Sequence, residues 1–134
     1  TLYKVHQRVA EKFRHGRVLL AGDAAHINNP LGGMGMNGGV HDAFNLSDKL
    51  LAVLRGESAV DVLDRYERQR RPVVQDAIIA QSHANRARMR ELDPEKRRES
   101  LRALQDICAD RDKLYAHMLK TSMISGLRQA AQVQ

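Results

Sequence analysis

The chain has 134 residues, a formal net charge of +6, one cysteine and only 4% aromatic residues. That is one small domain's worth of chain, with a core expected to rest on Leu, Val, Ile, Ala and Met. The lone thiol, Cys108, excludes an intrachain disulfide and suits a reducing, cytoplasmic setting, and no apolar run is long enough for a transmembrane segment.

From Leu2 to Ala10 the side chains alternate, with Tyr3, Val5, Gln7 and Val9 on one face and Lys4, His6 and Arg8 on the other, as in a half-exposed strand. His15-Gly16 reads as a turn, after which Arg17 to Ala21 is expected to return beside the first strand as a β-hairpin with a charged tip. Two strands alone are marginally stable. The hairpin therefore expects a larger sheet beside it, from a region preceding Thr1 or from a second copy in a homo-oligomer.

The apolar run Val18 to Ala21 ends at Gly22-Asp23, and glycines follow at 32, 33, 35, 38 and 39. A helix is expected to open near Asn37 and to run to Leu54, its stripe formed by Ala43, Leu46, Leu50 and Val53. The first N–H groups of such a helix have no intrahelical partner and point into the glycine turn, where the absence of Cβ atoms lets a flat or electron-rich ligand approach. Asp23, at a strand end, offers a carboxylate that would repel pyrophosphate but accept a sugar hydroxyl; its alternative is an Asx turn or N-cap for Ala24-Ala25. Pro30 either shapes a pocket wall or stiffens a loop.

A second helix is expected from Ser58, with Val60, Leu63, Tyr66, Val73, Ala77 and Ile78 as its stripe, kinked or broken at Pro72 and ending near Arg90. Asp93-Pro94 restarts the helix, aspartate suiting the N-cap and proline the first helical position. Leu101, Leu104, Ile107, Leu114 and Met118 continue the period, and a short helix from Ser122 to Gln132 closes the chain. The basic clusters at Arg65 to Arg71, Arg86 to Arg90 and Lys96 to Arg102 interleave acidic residues and lack a row of aromatics to stack on bases. They read as solvated helix faces, with no nucleic acid partner; Arg70 and Arg71 are placed on that wet surface, the alternative being that they brace the cofactor domain electrostatically.

Arg17-Val-Leu-Leu-Ala-Gly-Asp-Ala-Ala-His26, Pro30, Gly32, Gly35, Asn37 and Asp42 to Leu46 together resemble the second flavin-contacting motif of the single-component FAD-dependent aromatic hydroxylases, the p-hydroxybenzoate and phenol hydroxylase group. Tyr66-Glu-Arg-Gln-Arg-Arg-Pro72 is similar to a further segment of that family, and the remaining C-terminal half resembles its helical tail more loosely. The resemblance implies a mostly α fold with an N-terminal β-hairpin, the C-terminal fragment of an α/β FAD-binding monooxygenase. Residues 1–56 would complete the FAD-binding domain and residues 57–134 would form a helical C-terminal region. The ADP half of FAD would be held before Thr1, on a strand-turn-helix with Gly-x-Gly-x-x-Gly and an acidic residue about twenty positions later.

It implies, further, that Asp23 bonds a ribityl or ribose hydroxyl of FAD and that Pro30 lies beside flavin and substrate. The backbone N–H groups of Gly35, Met36 and Asn37 would face the N1–C2=O edge of the ring, where a helix N-terminus favours negative charge by roughly 0.3–1 kcal/mol. His26 is expected to be a packed, hydrogen-bonded member of the loop, and Asp42 and Asn45 to brace the glycines. No residue is nominated for direct catalysis and none for metal binding. The implied activity is hydroxylation of an aromatic compound with NAD(P)H and O2. The alternatives are a non-enzymatic helical assembly module, a ubiquinone-precursor hydroxylase or another flavin oxidoreductase.

Overall fold

In the computed structural model, which describes residues 6–134, sheet is confined to two short antiparallel ladders. Strand β1 (Arg8–Val9) pairs with β4 (His26–Ile27), matching Arg8 to Ile27 and Val9 to His26. Strand β2 (Arg14–His15) pairs with β3 (Val18–Leu19) across a two-residue turn whose first residue, Gly16, has φ +60°. That geometry suits a glycine-led tight hairpin. A mostly helical chain with a small N-terminal hairpin is thus the architecture, but the pairing departs from expectation. Arg17 to Ala21 turns back on Arg14–His15 because Gly16 permits so short a loop, and this leaves β1 to β4. The expected first strand before His6 lies outside the described residues.

Helix α1 (Met34–Leu54) starts earlier than the periodicity suggested, because Gly33 at φ +64° occupies its N-cap. Helix α2 (Val62–Val73) opens after Asp61 rather than at Ser58, with no side-chain cap bond. It runs without interruption through a π-helical turn, Val74–Ile79, into α3 (Ala80–Arg90). Pro72 therefore does not break the helix. It has no N–H to offer the turn before it, and the helix beyond it widens until the Ala80 N–H reaches the Gln75 carbonyl, five residues back.

Helix α4 (Pro94–Ala109) begins as expected, the Asp93 carboxylate accepting the Glu95 N–H at 2.9 Å. The apolar period beyond it is divided at Asp110, which is extended and accepts the Asp112 and Lys113 N–H groups at the start of α5 (Arg111–Thr121). Helix α6 (Ile124–Gln132) follows Met123, a buried residue held at φ 66°.

The core joins Phe13, Ala25, Met34, Tyr66, Val74, Ile78 and Met123. Two of the few aromatics thus sit at its centre, their rings 6.0 Å apart, where the composition had pointed to aliphatic side chains. Tyr66 is inward along its whole length, and its hydroxyl donates to the Leu20 carbonyl at 2.7 Å, tying α2 to the strand that leads into the glycine turn. No helix among the described residues is long and apolar enough to cross a membrane.

Candidate functional site

Beyond β3 the chain stays extended to Ala21 and then coils through a single tight turn, Gly22–Ala24. Asp23, in the middle of that turn, is exposed and makes no hydrogen bond through its carboxylate among the described residues. It faces a cavity of about 660 Å³ whose wall also includes Asn28, Asn29, Pro30, Gly35 and Met36. Four of the five sequence-predicted site residues, Asp23, Pro30, Gly35 and Met36, therefore share one cavity. Asn37 is not on its wall.

The earlier start of α1 explains the exception. With Gly33 as N-cap, the N–H groups without an intrahelical acceptor are those of Met34, Gly35 and Met36, and no side chain caps them. Asn37 is the fourth helical residue, so the helix's own ladder takes its N–H. Met36 is 78% exposed. A Cβ on Gly35 would lie 2.9 Å from Asn28 Oδ1, so the wall is closely fitted there. Gly33-Met34-Gly35-Met36-Asn37-Gly38 also spells Gly-x-Gly-x-x-Gly, but the strand before it, β4, is antiparallel and separated from α1 by a loop, unlike a dinucleotide fold.

The loop between β4 and α1 is clamped from beneath. Asn29, buried, donates to Gln7 Oε1 at 3.2 Å and to the Ser82 carbonyl at 3.4 Å, while Ser82 Oγ donates to the Asn29 carbonyl at 3.2 Å. Asn85 Nδ2 donates to the Leu31 carbonyl at 3.3 Å, and Gln7 Nε2 to that of Ile79 at 3.2 Å. Pro30 is thus held on both sides by polar groups at the end of the π-helical turn and the start of α3.

Behind the glycine turn lies a buried ionic cluster. Asp42 and Arg70 have no solvent exposure and His26 has 2%. Asp42 Oδ1 accepts Arg70 Nε at 2.7 Å, and Oδ2 accepts His26 Nε2 at 2.6 Å and the Gly22 N–H at 3.0 Å. Burial alone would raise the Asp42 carboxyl, but the hydrogen bonds from His26 and Arg70, the guanidinium charge and the Gly22 N–H outweigh it and hold the group below its ordinary value. His26 is packed and hydrogen-bonded, and Asp42 braces the turn. Arg70 corrects the surface placement drawn from its basic neighbours: it is fully inside. Its signal in the sequence was the Arg-Arg-Pro segment, where charge composition alone pointed outward.

Another cavity of about 670 Å³ lies between α3 and α4, lined by Ala87, Met89, Leu92 and Leu101 among others, and shares no lining residue with the first.

The family described as FAD binding domain matches residues 1–81. Para-nitrophenol 4-monooxygenase of Pseudomonas sp. (strain WBC-3) is 40% identical over 126 residues, which is 94% of this chain and 31% of that protein. Pentachlorophenol 4-monooxygenase of Sphingobium chlorophenolicum is 49% identical over 84 residues, 63% of this chain and 15% of its own length. The crystal structure of p-nitrophenol 4-monooxygenase from Pseudomonas putida DLL-E4 superposes with a TM-score of 0.81 at 40% identity, covering 89% of this chain and 31% of that one. This chain thus spans less than a third of the length of these relatives.

Proposed function

Since the chain belongs to the FAD binding domain family, we propose that it forms the flavin-facing part of a monooxygenase that hydroxylates an aromatic compound with NAD(P)H and O2. One observation carries the reading: an exposed carboxylate, Asp23, and the free N–H groups at the start of α1 line the same cavity. The wall has no Lys or Arg among the described residues. Such a donor set fits a hydroxylated chain ending in an electron-rich ring edge better than it fits phosphate.

Bound FAD supplies the redox and oxygen-transfer chemistry. The protein's own residues bind and orient. Asp23 accepts a hydroxyl of the ribityl or ribose portion. The N–H groups of Met34, Gly35 and Met36 favour negative charge at the ring edge, in the manner of an oxyanion hole. Asn37, one position deeper, closes the first ring of the helix that carries them. Pro30 forms the wall shared with an aromatic substrate. Residues 1–56 make up the flavin side and residues 57–134 the helical support, and the ADP half of the cofactor is gripped by protein outside these residues.

The test uses the full-length protein that carries this chain, with FAD affinity followed by quenching of flavin fluorescence. Loss of a hydrogen bond to a charged group is worth about 1.5–3 kcal/mol, so Asp23→Ala should weaken binding roughly 10- to 100-fold. Asp23→Asn, which keeps an acceptor, should recover part of it. Unchanged affinity in Asp23→Ala would remove the proposed contact, and failure of the wild-type protein to hydroxylate any of a panel of phenols with NADH or NADPH would remove the activity.

A further inference from the structure

The Asp23 carboxylate has no hydrogen bond of its own among the described residues, so its direction is set by the backbone of the Gly22–Ala24 turn. That turn rests directly on α1. A Cβ on Gly39 would lie 3.3 Å from the Gly22 Cα, and Gly22 itself has φ +58°, a conformation that suits glycine. The side chain that holds the turn down belongs to Asp42, on the next turn of α1, whose Oδ2 accepts the Gly22 N–H at 3.0 Å.

Both oxygens of Asp42 are occupied from different directions. Arg70 reaches Oδ1 from α2, and its Nη2 also donates to the Gly38 carbonyl at 3.4 Å; His26 reaches Oδ2 from β4. The carboxylate cannot rotate without losing donors from three separate segments. A buried ion pair of this kind adds little stability over a well-packed apolar pair, because desolvation cancels most of its attraction. What the cluster supplies instead is a defined position for the Gly22 amide relative to α1.

Resting on the flavin reading above, we propose that Asp42 is the positioning residue of the flavin contact: by gripping the Gly22 N–H it fixes the direction of Asp23 relative to the free N–H groups of α1. Asp42 touches neither cofactor nor substrate. It acts through its neighbour, with Arg70 and His26 holding it in place.

A double-mutant cycle in the full-length protein tests this, read as FAD dissociation constant beside thermal unfolding midpoint. Asp42→Asn should weaken FAD binding about tenfold in the wild-type background and by less than twofold once Asp23→Ala is present. In parallel, Asp42→Leu combined with Arg70→Met removes the buried charges together and fills the space, which avoids the uncompensated Arg70 that Asn at 42 would leave. It should show the same dependence on Asp23. A loss that adds in full to that of Asp23→Ala, or a lowered unfolding midpoint with FAD affinity intact, would assign Asp42 a purely structural role and overturn the proposal while leaving the flavin reading in place. If Asp23→Ala alone has no effect on affinity, the assigned contact and the proposal fall together.

Discussion

Ser82 and Asn29 hold each other across 53 positions of sequence: the Ser82 hydroxyl donates to the Asn29 carbonyl at 3.2 Å, and the Asn29 amide donates to the Ser82 carbonyl at 3.4 Å. Both residues are buried, so neither bond is replaced by water when it is broken. The Asn29 Oδ1 also accepts the Leu31 N–H at 3.0 Å, closing the loop around Pro30.

Asn29→Ala is expected to destabilise the protein by about 1–3 kcal/mol, since it strips partners from half-buried groups on Gln7 and Leu31 and from the buried Ser82 carbonyl. Ser82→Ala should cost about 1 kcal/mol. Denaturant unfolding measures both. Hydrogen exchange at the Leu31 amide should accelerate in Asn29→Ala; protection there equal to wild type would show that the loop around Pro30 does not depend on this clamp.

Gly38 packs against the π-helical turn with no room to spare. A Cβ at this position would lie 2.6 Å from Ile78 Cδ1 and 3.2 Å from His26 Cε1. Gly38→Ala should therefore cost about 1–3 kcal/mol through overpacking, despite alanine's better helix propensity. Ile78→Val removes the offending methyl, so the double variant should be more stable than Gly38→Ala alone. Simple additivity of the two costs in urea melts would contradict that contact.

The Asp42 carboxyl titrates below its ordinary value of 3.8 in the folded protein. A depressed carboxylate contributes stability that is fully present above the unfolded value and is lost as pH falls through the folded one. The urea midpoint should accordingly drop as pH falls below about 4, and Asp42→Asn should flatten that acid limb while lowering stability at neutral pH. An acid limb of the same steepness in Asp42→Asn would place the responsible carboxylates elsewhere.

Several features that depend on residues a few positions apart were legible in the sequence. Asp93-Pro94 announced the start of α4, and the residues from Arg17 to Leu46 carried the family resemblance. Asp23, Pro30, Gly35 and Met36 could be gathered before any fold was known, because a strand end, a glycine turn and a helix start are local structures. The helix start itself was misplaced near Asn37: Gly33, at the N-cap, decides it.

The sequence by itself determined the family and singled out the segment proposed to face the flavin, since the groups that segment offers are backbone N–H groups and one carboxylate set by local geometry. Only the tertiary structure decided which residues support it. Arg70 lies 28 positions from Asp42, and whether a guanidinium so placed faces water or a buried carboxylate depends on how α1 and α2 meet. The same holds for β1, which found its partner at His26–Ile27, and for Phe13 and Tyr66, which meet only because hairpin and helix pack together. Burial and ion pairing are properties of surfaces brought together by the fold, and neighbouring residues along the chain do not specify them.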